Sequence, residues 1–278
     1  QELLRRVIPI LQEQGIRTYE GGDVPVVLTD GAPVAYALGV DTVSGSEAPY
    51  THEITAKQDG LPPTQTLEAA YLGRGGGTDF VRQFLGATPN SVEISMNEDD
   101  ELTASLAYQA LGVNVNQSAT TGESVPTDDP WLFADASSTL TLFGTSFARF
   151  VDFTLTVENN LEAGRYIAPD SEHPTGDSRD PYEFTYGNVD YDLSATVVVS
   201  DAALYEELLT PTAGGFTASI EFQKNGSGNL FRIEADGCNF SDAPHDVPAE
   251  SDKIEVDVSI QPTDLTITVE DDEDTAYV

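Results

Sequence analysis

Lysine is nearly missing from this chain: three of 278 residues, beside nine arginines and 48 aspartates and glutamates, for a formal net charge of −36. A chain so poor in cations has no basic surface with which to grip nucleic-acid phosphates. Cysteine occurs once, at Cys238, which excludes an intrachain disulfide and a cysteine-rich metal site and leaves the compartment open. No run approaches the ~18 uninterrupted apolar residues of a membrane-spanning helix, and no basic segment precedes an apolar one as in a signal peptide. The expectation is a soluble chain with no membrane partner. Aliphatic and aromatic residues still reach 39%, with 12 Phe and 11 Tyr, so a sizeable core can form and disorder is excluded.

The excess of acid, together with arginine in place of lysine, resembles proteins from cells that keep molar salt in the cytoplasm. High salt screens the repulsion that would otherwise push such a chain apart, and hydrated carboxylates keep it dissolved. A haloarchaeal setting follows as an expectation, with an acidic protein of ordinary salt as the alternative.

Helical periodicity is confined to two places. Leu3, Leu4, Val7, Ile8 and Leu11 mark an amphipathic N-terminal arm over 1–19, interrupted by Pro9, and Asp201 to Leu209 marks a short helix. Elsewhere the period is two. Val92, Ile94 and Met96 oppose Glu93 and Ser95; Phe153, Leu155 and Val157 oppose Thr154, Thr156 and Glu158; Leu193 to Val199, Ile254 to Ile260 and Leu265 to Val269 repeat the pattern. Strands with one apolar and one polar face, separated by turn residues, predict an all-β, mainly antiparallel sandwich or barrel.

Residues 117–130, QSATTGESVPTDDP, lack periodicity and read as a linker. It separates a first β domain at 20–120 from a second at 130–262, followed by a C-terminal strand and acidic tail at 263–278. Phe80 and Gly86 match Phe231 and Gly237 at an offset of 151, and the strand from Leu102 matches that from Ile254 at 152. This suggests a tandem duplication, which stays open. The polar stretch 163–180 reads as a projecting loop.

Candidate chemistry is sparse. His52, His173 and His245 are far apart and read as solvated or loop histidines. The glycine-rich run from Gly73 to Thr78 lacks the Lys-Ser/Thr ending of a phosphate loop, and no G-x-S-x-G elbow is present. Carboxylates are too abundant for a catalytic pair to stand out. The clusters 98–101 and 270–274 lack the spacing of a calcium loop and read as a solvated turn and a solvated tail. No catalytic residue, cofactor or metal ligand is predicted, and the chain is read as a non-enzyme.

Residues 151–162, VDFTLTVENNLE, resemble a signature strand of the tail tube proteins of long-tailed double-stranded DNA viruses. Residues 49–55 (PYTHEIT), 77–82 (GTDFVR) leading into 91–95 (SVEIS), and 193–199 followed by SDAALYEELL at 200–209 are similar to further family strands and a short helix, in the expected order. The resemblance covers roughly 50–260. It implies a tail-tube-like β-sandwich subunit of a virion tail, assembled in the host cytoplasm. Such subunits close into rings of three two-domain chains or six chains, stack into a tube and meet other tail proteins. Genomic DNA would pass through without specific binding. Glu93, Ser95, Thr154, Thr156 and Glu158 are then candidates to line the channel. The alternative is a secreted halophilic β-sandwich binding module or adhesin, with Trp131 as its exposed aromatic.

Overall fold

The computed structural model describes residues 16–73, 80–98, 100–115, 117–121, 128–135, 141–142, 145–146, 149–199, 206, 213–224, 229–242 and 254–278. The expected arm before residue 16, the glycine run from 74, His245 and the helix at 201–209, apart from a helical Glu206, lie outside them. The described residues are mostly antiparallel strands, as the period-two pattern predicts.

In the first half the strands are β1 (Glu20–Val27), β2 (Gly39–Ser44), β3 (Tyr50–Ala56), β4 (Gln65–Tyr71), β5 (Phe80–Met96), β6 (Thr103–Gln109) and β7 (Gly112–Val115). After the linker come β8 (Thr141–Leu142), β9 (Thr145–Ser146), β10 (Arg149–Glu158), β11 (Glu162–Gly164), β12 (Glu183–Thr185), β13 (Asp190–Val199), β14 (Phe216–Gln223), β15 (Leu230–Asp242), β16 (Ile254–Gln261) and β17 (Asp264–Asp271). The helix α1 (Ala32–Leu38) is short enough to have escaped the 3.6-residue periodicity. It begins where the Asp30 carboxylate accepts the Ala32 N–H at 2.9 Å and ends at Gly39, whose φ of 94° only glycine adopts freely.

Seven strands form one antiparallel sheet in the order β1-β6-β5-β10-β13-β16-β15. Two strands serve two layers. The N-terminal part of β5 leaves this sheet to pair with β4 and β7, and the N-terminal part of β15 leaves it to pair with β14 and β17. Beyond β17 the second layer continues through β3 to β2. One apolar core fills the space between the layers, including Ile94, Leu106, Leu155 and Val258 from the seven-stranded sheet and Ile54, Phe222, Phe231 and Ile267 from the second.

The two halves repeat one another pair by pair. Gln65 faces Ala87 and Tyr71 faces Phe80, as Phe216 faces Cys238 and Phe222 faces Phe231, every residue displaced by 151. Thr88 faces Gln109 as Asn239 faces Gln261, the second member displaced by 152, and Leu85 faces Gly112 as Asp236 faces Asp264. Even the irregularities match, between Pro89 and Ser91 and between Phe240 and Asp242. By this register β17 repeats β7, so the expected C-terminal strand is a central strand of the second layer between β15 and β3.

The halves also exchange strands. β3 of the first half pairs with β17 of the second, and β10 of the second pairs with β5 of the first. The stretch 163–180, expected to project, folds back instead. The Tyr19 hydroxyl donates to Asp180 at 2.7 Å, the Arg17 N–H donates to the Arg179 carbonyl at 2.9 Å, and the Arg165 guanidinium reaches the carbonyls of both Arg179 and Arg17. A buried Asp180 and the arginine contacts to carbonyls and carboxylates anchor the two ends of the segment, while Tyr166, Ile167 and 169–172 between them stay exposed.

Candidate functional site

The seven-stranded sheet has one apolar and one polar face because its central strands alternate buried and more exposed residues between their bulges. Val92, Ile94, Phe153, Leu155, Val157, Leu193, Ala195, Val258 and Ile260 are buried. The residues between them point the other way, and register arranges them in rows. Val27, Thr103, Ser95, Thr154, Ser194 and Ser259 follow one another across six strands. Pro25, Ser105, Glu93, Thr156 and Asp192 form a second row, and Asp23, Ala107, Ser91, Glu158 and Asp190 a third.

The five residues picked out from the sequence therefore lie side by side. Thr154 is directly opposite Ser95, Thr156 opposite Glu93, and Glu158 one row further, opposite Ser91. Glu93 and Glu158 are exposed and the three hydroxyl residues half-buried. The neighbours that the sequence reading did not nominate, among them Ser105, Asp192, Ser194, Thr196, Asp257 and Ser259, carry the same alternation. Knowing which strands are adjacent is what adds them.

No position in the three rows is Lys or Arg. Arg149 enters β10 opposite Val198, beyond the bulge between Phe150 and Asp152. Three hydroxyls on the face are hydrogen-bonded across neighbouring strands: Thr196 donates to Asp257 at 2.9 Å, Thr103 to the Ser95 carbonyl at 3.2 Å, and Ser194 to the Thr154 carbonyl at 3.4 Å. Such a surface is anionic and offers a polyanion no cation in these rows.

The remaining candidates are structural. His52, expected in solvent, is fully buried between Asp41, at 2.9 Å from its Nδ1, and the Glu273 carbonyl, at 3.0 Å from its Nε2. Burial pushes its pKa down, yet the bond to Asp41, the Glu273 carbonyl and the nearby Asp271 outweigh it and leave the imidazole raised above its ordinary value. The acidic tail is exposed at 272–276, as expected, and beyond it Tyr277 docks on the same group, stacking on His52 at 4.5 Å and donating its hydroxyl to Asp271. His173 is buried edge-on against Tyr182.

Trp131, the aromatic a binding module would expose, is buried against Phe231, with the Lys224 ammonium 3.9 Å from its ring centre. Burial lowers the Lys224 pKa, against the pull of Asp128 and Asp129. Among the described residues no three metal-binding side chains converge.

Comparison with curated proteins finds no match. A family profile described as phage tail tube protein matches residues 12–268 and so spans both halves, the linker and the polar sheet; the chain belongs to that family.

Proposed function

We propose that three copies of this chain close into a ring of pseudo-sixfold symmetry, that rings stack into a hollow tail tube, and that the polar face of the seven-stranded sheet lines its bore. The observation carrying this reading is the hydroxyl and carboxylate face running from β6 through β10 to β16, across both halves of the chain. Two halves with the same strand register, placed at 20–120 and from 130 through β17, are two quasi-equivalent building blocks, and three such chains supply six. Head-to-tail contacts of this kind close into a ring when the rotation between blocks is sixty degrees, a consequence of six equal steps.

DNA must slide along the bore without sticking. Each Lys or Arg aimed at a phosphate would release counterions and create a salt-dependent binding site along the path. Glu93, Ser95, Thr154, Thr156 and Glu158 in the lining avoid such sites, which gives the tube its role in genome ejection. The acidic composition favours a haloarchaeal virus, its subunits assembling in the host cytoplasm with the other tail proteins. Electron microscopy of the purified protein in molar potassium chloride tests the reading: it predicts stacked rings or hollow filaments with three chains per ring, and only dispersed single subunits would overturn it.

A further inference from the structure

We propose that residues 1–15 of the same chain cover the face of the β4–β5–β7 layer that presents Tyr71, Phe80 and Val115, with Glu13 meeting Arg82. The proposal concerns the single subunit and does not rest on the tube reading.

The internal repeat shows what this face lacks. Tyr71, Phe80, Arg82 and Val115 stand where Phe222, Phe231, Ile233 and Ile267 stand in the second half: Tyr71 pairs with Phe80 as Phe222 pairs with Phe231, and Arg82 faces Val115 as Ile233 faces Ile267. The four residues of the second half are at most 1% exposed. In the first half Tyr71, Phe80 and Val115 are 65%, 41% and 48% exposed. The opposite face of the layer is met by the linker, where Glu68 accepts both the N–H and the hydroxyl of Thr120 at 2.9 Å.

Arg82 gives the missing cover a charge. Its guanidinium carbon lies 5.5 Å and 5.7 Å from the ring centres of Phe80 and Phe84, and its Nε is buried without a hydrogen-bond partner. Among the described residues no carboxylate pairs with it. A cationic donor left unmade in this way is costly, and a carboxylate is the group that satisfies it best.

The residues before Ile16 carry what the face asks for. They supply Leu3, Leu4, Val7, Ile8, Ile10 and Leu11, and a carboxylate at Glu13. A segment of this length is marginal as a free helix, and in water it would leave those aliphatic side chains exposed. Reach sets the register. The Tyr19 carbonyl accepts the Ala110 N–H at 2.9 Å, and Val115, opposite Arg82, lies ~17 Å beyond Ala110 along an extended strand. Glu13 stands ~20 Å of extended chain before Tyr19, so its carboxylate spans that distance. Because β5 runs antiparallel to β7, a chain leaving Tyr19 in this direction meets Arg82 first and Phe80 one pleat later. Glu13 and Leu11 have the same spacing, so Leu11 falls on Phe80 when Glu13 falls on Arg82.

Hydroxyl-radical footprinting of the isolated full-length subunit tests the contact, with Tyr166 and Tyr186, 54% and 51% exposed, as internal standards. In wild type Tyr71 is expected to oxidise about tenfold more slowly than either standard. In the double variant Ile8→Asp, Leu11→Asp it is expected to oxidise as fast as they do, with an unchanged melting curve because both positions precede the strands. Arg82→Glu is expected to release the arm as well, and Arg82→Glu combined with Glu13→Arg to restore the protection. Tyr71 reacting as fast as Tyr166 in wild type would overturn the proposal. So would slow oxidation that persists in the arm variant, or that appears only as the protein is concentrated, since another segment or a second copy then covers the face.

Discussion

Gly86 and Gly237 hold the same left-handed conformation, φ 59° in each, at the point where β5 and β15 pass from one layer to the other. Beside them the same backbone bond recurs, Leu111 N–H to the Leu85 carbonyl at 3.0 Å and Thr263 N–H to the Asp236 carbonyl at 2.9 Å. A side chain is strained at this φ, by roughly 1–2 kcal/mol. An added Cβ at Gly86 would meet only the Leu111 side chain, at 2.9 Å, whereas at Gly237 it would meet Thr263 Oγ1 at 2.1 Å. That hydroxyl is already committed to the Asp236 carbonyl. Denaturant unfolding of Gly86→Ala is expected to show a loss of about 1–2 kcal/mol and of Gly237→Ala about 2–3 kcal/mol. Losses under ~0.5 kcal/mol at both would show that the bend does not depend on glycine.

Those two glycines were visible in the sequence as half of a thin repeat, because backbone conformations that need glycine leave a mark at a fixed offset. The strands were legible for a similar reason: burial on one face forces the alternation seen in Val92–Ile94 and Phe153–Leu155. Adjacency was not legible. Nothing local places β10 between β5 and β13, which is what brings Glu93 opposite Thr156. The buried His52 escaped because its partners, Asp41 and Glu273, are brought to it by the β2–β3 pairing and the returning C-terminus. α1 escaped because a seven-residue helix with four buried positions is too short to show a period.

The buried His52 makes the C-terminal segment sensitive to pH. Asp41 Oδ2 accepts both the imidazole and, at 2.9 Å, the Tyr277 N–H, so the charged ring and the tail share one anchor. With the folded pKa above the ordinary ~6.5, protonation favours the folded state. That stabilisation is complete below ~6.5 and is lost as pH rises through the folded value. Melting temperatures from pH 5 to 9 are expected to fall on the alkaline side in wild type and to show less of this fall in His52→Gln. An unchanged slope in the variant would contradict the assignment.

Two like charges ~10 Å apart in water repel by roughly 0.4 kcal/mol, and the screening length contracts from ~30 Å at 0.01 M salt to ~3 Å at 1 M. With a net charge of −36, the folded chain is expected to loosen in dilute buffer. Cys238 reports on it: the thiol is buried, and burial pushes its pKa up to about 11. Alkylation at pH 8 is expected to be slow in molar potassium chloride and to accelerate as salt is withdrawn. A labelling rate constant from ~0.1 to 3 M would contradict a salt-dependent fold.

Glu93→Lys and Thr156→Lys place a cation at facing positions of the polar sheet. Tubes built from either variant are expected to retain double-stranded DNA with an affinity that falls steeply with salt, while wild-type tubes release it. If the variants bind no more DNA than wild type, those positions do not face the path of the genome.

Cryo-electron microscopy of the assembled tube tests the central claim most directly, by showing which face of the seven-stranded sheet meets the bore. The prediction is three chains per ring with the row Thr103, Ser95, Thr154, Ser194 and Ser259 turned inward and Glu93 and Glu158 beside it. Finding that row on the outer wall, or six chains in each ring, would contradict it.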